Sequence, residues 1–500
     1  MMEISPLFSD GAVLCRGREL RIFGRAEDGA RIHCELLSEK EGLIARGDGI
    51  ARGGKFLIPL PPQEARTGCR LVITDGKDIF HALDICIGEV FLAGGQSNME
   101  MELRSAEGGP EAIAEHVNPM VRYFNVPKAG TFTQEREEAW KAACWQAVGP
   151  GRAGDISAAA YFFAMKLQLE LGVPVGIVDC YLGGTSVTCW MEEAWLERTG
   201  EGQRYLREYR KRTAGVTLEE SLEADRRFRK EMEDWCAAAE AWQEEHPWAD
   251  RTETEQALGS FPWNPPEGPA SCYRPGGLFD TMVAPLTPLS LTGILFYQGE
   301  EDTGRTEAYD VLMMSLIDRW RTAFRDESLP FLFVQLPMWR AKDAEDSKTW
   351  AALRLRQAEV RDRMRNTGMV CLLDQGEFDN IHPGNKRVVG ERLFGLAMNE
   401  IWHRGGEASP RILGRRTEEG MLTLEADLPL TTSDGREPAL LEVAEEGGSF
   451  VPARAMIEGN LLHLTASGVR FPLHARYAWT DYGTVNLFGP GGLPLEPFTL

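Results

Sequence analysis

No apolar run in this chain approaches the roughly 18 consecutive residues that a membrane span needs. The start, Met1-Met2-Glu3-Ile4-Ser5-Pro6, has neither a basic region nor the apolar core of a secretory signal. The ten cysteines include no CxxC pair, which argues against a zinc ribbon or a disulfide framework. Several stand in apolar strand-like runs, such as Ile85-Cys86-Ile87 and Val370-Cys371-Leu372. Reduced core thiols and a cytoplasmic location are therefore the expectation. Positive charge is also short, since 54 Lys and Arg against 76 Asp and Glu leave a net charge of −22. Nucleic acid and anionic membrane surfaces are poor partners for such a chain, because phosphate contacts need clustered Lys and Arg. Internal repeats and low-complexity runs are absent from the sequence.

What remains is an ordinary globular composition, 43% hydrophobic and 9% aromatic, in 500 residues that suffice for two to four domains. Residues 1–85 read as short strands between turns, for example Leu20-Arg21-Ile22-Phe23-Gly24 and Arg70-Leu71-Val72-Ile73, which suggests a small β-sandwich. Over 86–404 the pattern changes to strands alternating with helices, the signature of a mostly parallel α/β sheet. Strands are expected at Glu89–Ala93, Val121–Val126, Val175–Cys180, Gly293–Tyr297, Phe331–Gln335 and Met369–Leu373. Helices are expected at Ser157–Leu171, Glu307–Phe324, Trp350–Arg365 and Pro383–Trp402. A polar helical insertion over about 192–245 interrupts them, followed by the Pro-rich Phe261-Pro262-Trp263-Asn264-Pro265-Pro266. It reads as a solvated addition or as a cover beside the cleft in which Trp263 meets substrate. Residues 405–500 return to turn-separated strands, a second β-rich domain.

The chemistry-bearing stretch is Gly94-Gly95-Gln96-Ser97-Asn98-Met99, directly after a buried-strand pattern. A serine at the carboxyl end of a parallel strand is where an open α/β sheet presents a nucleophile. Ser97 is not in an α/β-hydrolase elbow, because G-x-S-x-G would need glycine where Met99 stands. Ser186 is a rival nucleophile deeper in a loop. Of eight histidines, His382 alone has a suitable setting, in Asp379-Asn380-Ile381-His382-Pro383-Gly384. Pro383 is expected as the first helical residue, which keeps His382 in the loop before it. The Asp379 carboxylate can orient the imidazole as in a Ser-His-Asp relay, with Asp374 and Glu377 as rival acids. Oxyanion donors are expected from the Ser97 N–H, from Gly183 or Gly184 after the strand Val175–Cys180, and from the Gln298 amide after Gly293–Tyr297. A metal-dependent deacetylase is the first rival, with Asp374, Glu377 and Asp379 as ligands. No second histidine has ligand spacing such as HExxH, so neither metal nor cofactor is expected. A non-catalytic carbohydrate-binding protein is the other rival.

With these residues in hand, the chain resembles the sialate O-acetylesterase family of carbohydrate acetylesterases, related to the SGNH hydrolases. The matching pieces are Ser5-Pro6-Leu7-Phe8-Ser9-Asp10, Gly95-Gln96-Ser97-Asn98-Met99-Glu100-Met101, Gly183-Gly184-Thr185 with Trp190, and Pro275-Gly276-Gly277-Leu278-Phe279. They continue with Tyr297-Gln298-Gly299-Glu300, Ile381-His382-Pro383 with Asn385 and Lys386, Arg476-Tyr477-Ala478-Trp479 and Gly492-Leu493-Pro494. Phe296, where the family often has Trp, and Asn380, where Asp is common, are departures. The resemblance implies a flavodoxin-like SGNH-type catalytic domain flanked by N- and C-terminal β-sandwich domains. It implies deacetylation of O-acetylated sugars by Ser97, His382 and Asp379. Gln96, Trp190, Tyr297 and Glu300, in the same motifs, are the expected sugar contacts. A sialic acid ester, whose carboxylate would call on Arg104, Arg274 or Arg305, is the first expected substrate. Acetylated xylan or mannan oligosaccharides, which call on aromatic platforms such as Trp190 or Trp263, are the alternative.

Overall fold

The computed structural model describes residues 2–246 and 251–500. Its centre is a seven-stranded row in the order Trp145–Val148, Asn118–Asn125, Val175–Tyr181, Ile79–Gly95, Gly293–Tyr297, Phe331–Val334, Thr367–Val370. Only the outermost pair, Trp145–Val148 with Asn118–Asn125, is antiparallel. The other neighbours run parallel. Parallel strands need crossover helices, which bury both faces of the sheet and demand continuous apolar runs. Val175–Tyr181 and Gly293–Tyr297 are buried at every residue for that reason. Helices Ala158–Leu171 and Lys386–Glu400 pack together, as do Thr306–Ala323 and Thr349–Arg363.

The 17-residue strand Ile79–Gly95 decides where the chemistry can sit. Its first half alternates between exposed and buried residues, and from Ile85 onward it is wholly buried. The first half pairs antiparallel with Arg66–Thr74 in the N-terminal sheet, and the second half runs parallel between Val175–Tyr181 and Gly293–Tyr297. Residues 85 and 86 therefore fall inside one strand. The change in hydrophobic pattern there marks a change of surroundings along a continuous element. One contiguous core accordingly runs from Leu7 and Ile22 through Phe91 to Leu393.

A second core, including Leu422, Leu462, Val443 and Tyr477, lies among the C-terminal strands. Those strands form two four-stranded sheets and a two-stranded pair. Two buried side chains fasten them to the centre. Arg354 donates to the carbonyls of Pro337, Ala478 and Thr480. Asp481 accepts the N–H groups of Lys348 and Trp350 at 2.9 and 3.0 Å, which caps the helix Thr349–Arg363 from another part of the chain.

The expected insertion is helical, with Glu193–Leu196, Gly200–Arg212 and Leu218–Glu245. Seven of the ten cysteines are buried and all are free. Cys144 and Cys236 are exposed and so correct the reading of every cysteine as core. Among the described residues no helix is long and apolar enough to cross a membrane.

Candidate active site

Residues 85–96 are buried without exception, and Ser97 is the first side chain after them to reach solvent. The turn that exposes it depends on Gly95. Its φ is +127°, and a Cβ there would lie 2.1 Å from the Tyr297 carbonyl oxygen of the neighbouring strand. Ser97 then opens the short helix Ser97–Glu100. An N–H in the first turn of a helix has no helical acceptor, and among the described residues that of Ser97 has no other.

The His382 Nε2 lies 2.8 Å from Ser97 Oγ, although 285 residues separate them. Two buried side chains pin the histidine loop against the serine turn. Lys386 Nζ donates to Pro383 O and to Asn98 Oδ1, both at 2.7 Å. Asn98 Nδ2 donates in turn to Ile381 O at 3.0 Å and to Glu300 Oε1 at 2.6 Å. The carbonyls on either side of His382 are thus tied to the residue that follows Ser97. Burial lowers the Lys386 ammonium to about 8 although Glu300 opposes the shift, and burial raises the Glu300 carboxyl. Neither role was read from the sequence. The available signal was a lysine four residues after His382 and an asparagine beside Ser97.

The helix after the loop begins at Lys386, with Asn385 Oδ1 accepting the Val388 N–H, so Pro383 is not its first residue. Asp379 is exposed at φ +62°. Its N–H donates to Arg340 O and its Oδ1 accepts the Lys342 N–H at 2.8 Å. The rival acids are engaged elsewhere, Asp374 by both guanidinium nitrogens of Arg392 and Glu377 by Asn380 Nδ2.

The Gly183-Gly184 turn lies beside Ser97, where a Cβ on Gly183 would meet the serine Cβ at 3.3 Å. Glu100, ion-paired with Lys128, accepts the Gly183 N–H. The Gly184 N–H has no acceptor among the described residues, so only the second glycine has an amide to offer. Gly184 has φ +67°, and a Cβ there would lie 2.1 Å from a ring carbon of Trp263. Gln298 corrects the expectation of an amide donor for the oxyanion. Its Nε2 donates to the Asp302 carboxylate at 2.5 Å and to Thr185 O at 3.0 Å, which uses both amide hydrogens. The reason is Asp302, a buried carboxylate one turn on, whose other oxygen accepts from Ser186 Oγ at 2.7 Å. That bond also occupies the rival nucleophile.

The expected sugar contacts need correction too. Trp190 is fully buried, and its Nε1 donates to Thr185 Oγ1 beneath the glycine turn. Tyr297 is 1% exposed in the sheet, and Gln96 is 2% exposed with its Oε1 accepting from Gly299 N and Glu301 N. Glu300 serves Asn98. These four residues build the floor of the site. Aromatic surface reaches solvent instead at Trp263, 41% exposed and stacked on Phe261. The arginines offered for a substrate carboxylate have partners, with Arg104 on Glu102, Arg305 on Glu208, and Arg274 on the carbonyls of Gly130 and Pro275.

A serine in hydrogen-bond contact with an imidazole, beside a glycine turn that leaves one N–H without an acceptor among the described residues, has the groups that acyl transfer needs. Residues 269–398, which carry Gln298, Asp302, His382 and Lys386, match the family model "Carbohydrate esterase, sialic acid-specific acetylesterase". The sialate O-acetylesterase of Rattus norvegicus is 24% identical over 463 residues, covering 83% of this chain and 78% of its own length. That of Homo sapiens is 23% identical over 519 residues, covering 95% and 88%. A carbohydrate acetylesterase from Xanthomonas citri superposes with a TM-score of 0.77 at 25% identity, over 100% of this chain and 99% of that one. The chain is a carboxylic ester hydrolase of the carbohydrate-esterase class. Within that class it is related to the sialate O-acetylesterases.

Proposed function

We propose that this carbohydrate O-acetylesterase works by two-step acyl transfer through an acetyl-Ser97 intermediate. The contact of 2.8 Å between Ser97 Oγ and His382 Nε2 carries the reading. Ser97 Oγ attacks the acetyl carbonyl while Nε2 takes its proton, and the same proton passes to the departing sugar oxygen as the ester bond breaks. Water, deprotonated by His382, then releases acetate and restores Ser97. The N–H groups of Ser97 and Gly184 receive the oxyanion. Asp379 orients the imidazole in this scheme. Its Oδ1 is held by the 340–342 loop, which leaves Oδ2 for the ring.

The order of the sheet supports an SGNH-type, flavodoxin-like reading. Without its outer two strands the sheet runs second-first-third-fourth-fifth in chain order, and Ser97 leaves the first strand at the switch point. Flanking β domains over about 1–85 and 405–500 complete the proposed organisation. A sialic acid O-acetyl ester is the substrate that the relatives' names suggest. The pairing of Arg104 and Arg305 with carboxylates favours a second reading, acetylated neutral oligosaccharides of the xylan or mannan kind. Acetate release tests the mechanism directly. Ser97→Ala should lose roughly a thousandfold or more in kcat on any substrate the wild type accepts. Near-wild-type turnover would sink the assignment.

A further inference from the structure

Beyond the glycine turn lies a cavity of about 300 Å³ that the proposed acyl transfer does not use. It opens between the helix Gly200–Arg212, the 265–275 segment and the turn Glu300–Arg305. Ser186, two residues after Gly184, is part of its wall, which puts that wall within about 8 Å of the oxyanion side along the chain. Trp263, which covers Gly184, leads directly into Pro265 and Pro266 on the opposite wall. Helical insertion and catalytic sheet therefore meet in one continuous surface. Its exposed aromatic element is Trp263, packed edge-on against Phe228 of the insertion and against Tyr273 of the wall.

Charge decides what such a surface accepts. Both arginines in the wall are neutralised, Arg212 by both oxygens of Glu267 and Arg305 by Glu208 at 2.6 Å. Glu301, also in the wall, adds a third carboxyl. A substrate carboxylate entering here would meet acid without an uncommitted base. The Thr188 and Tyr205 hydroxyls, whose hydrogens go to Ser186 and Asp302, keep lone pairs that can accept from a sugar hydroxyl, while Pro265, Pro266 and Tyr273 offer flat apolar faces. Hydroxyl partners beside apolar faces suit a pyranose, whose ring has a polar rim and C–H faces.

We propose that this cavity is a subsite for a neutral sugar unit linked to the acetylated one, with Trp263 as the platform between them. The inference rests on the esterase reading and adds the class of the adjoining sugar. It makes the enzyme one for acetylated oligosaccharides, with the helical insertion as the element that measures their length.

The test uses the full chain and compares kcat/KM for acetate release from mono-O-acetylated trisaccharides and monosaccharides, in both the xylose and the mannose series. The trisaccharide should exceed its monosaccharide at least tenfold in one series or both. Unacetylated trisaccharide of that series should competitively inhibit hydrolysis of 4-nitrophenyl acetate. Gly304 lies in the wall, and a Cβ there meets nothing within 4 Å, so Gly304→Trp fills the cavity from an open position. In that variant the trisaccharide preference should fall at least fivefold. A wild-type ratio near one in both series, with no inhibition by either trisaccharide, would overturn the subsite and leave the esterase intact. So would a preference that Gly304→Trp leaves unchanged. Absence of acetate release from every ester by the wild type would be a failure of the esterase reading itself.

Discussion

Gly184 carries two demands at once. Its φ of +67° suits glycine, and the Trp263 ring occupies the space a side chain would need. Gly184→Ala should therefore displace both the amide proposed as an oxyanion donor and the tryptophan above it. A loss of roughly a hundredfold in kcat is expected, the scale of one oxyanion donor. Steady-state kinetics on an aryl acetate would measure it, and a change confined to KM would contradict the role. Lys386 offers a different test. Its ammonium is held at about 8, against an ordinary value of 10.5, so it burdens the fold while protonated. That burden is complete below about pH 8 and is relieved as the pH rises from there toward 10.5. Denaturant titrations should show the wild type gaining stability relative to Lys386→Met across that window. Parallel pH curves would contradict the shift. Ser97 and His382 were legible as residues because glycines and a His-Pro step punctuate their loops. Trp190 was misread for an equally physical reason. Burial beneath a turn and exposure above it give an aromatic the same place in sequence.

Elements were legible where the period is long and uniform, as in Ala158–Leu171 and Thr306–Ala323, each within a residue or so of expectation. Boundaries set by distant groups were not. The strand Ile79–Gly95 looked like the end of one domain and the start of another because one half packs with one face to solvent and the other half with both faces covered. The helix Thr349–Arg363 starts within a residue of expectation, but Lys348 at its cap position makes no capping side-chain bond, and the group that caps it was not legible. Asp481 supplies that cap from 132 residues beyond Thr349. Its oxygens accept from Lys348 and Trp350. Asp481→Ala should cost about 1–2 kcal/mol, the upper range for a lost cap. Thermal unfolding would read it, and an unchanged midpoint would show the contact to be dispensable.

Over the whole molecule, two cores are joined where the loops of the site are built. Met338, Cys371 and Leu373 of the central region belong to the C-terminal core. Phe378, four residues before His382, packs on Tyr482 with ring centroids 5.2 Å apart. The segment between the C-terminal strands His474–Tyr477 and Leu487–Phe488 thereby braces the loop that carries the histidine, while the insertion supports Trp263 through Phe228. The brace could not be read from spacing, since it joins segments far apart in sequence, whereas a cover carrying Trp263 was one of the two readings the insertion allowed. The central claim is that Ser97 is the acylated nucleophile, and a serine-directed phosphonate tests it most directly. Peptide mapping after inactivation should find one adduct, on Ser97, with acetate release lost in proportion to labelling. An adduct on Ser186, or full activity in a protein labelled stoichiometrically at Ser97, would contradict it.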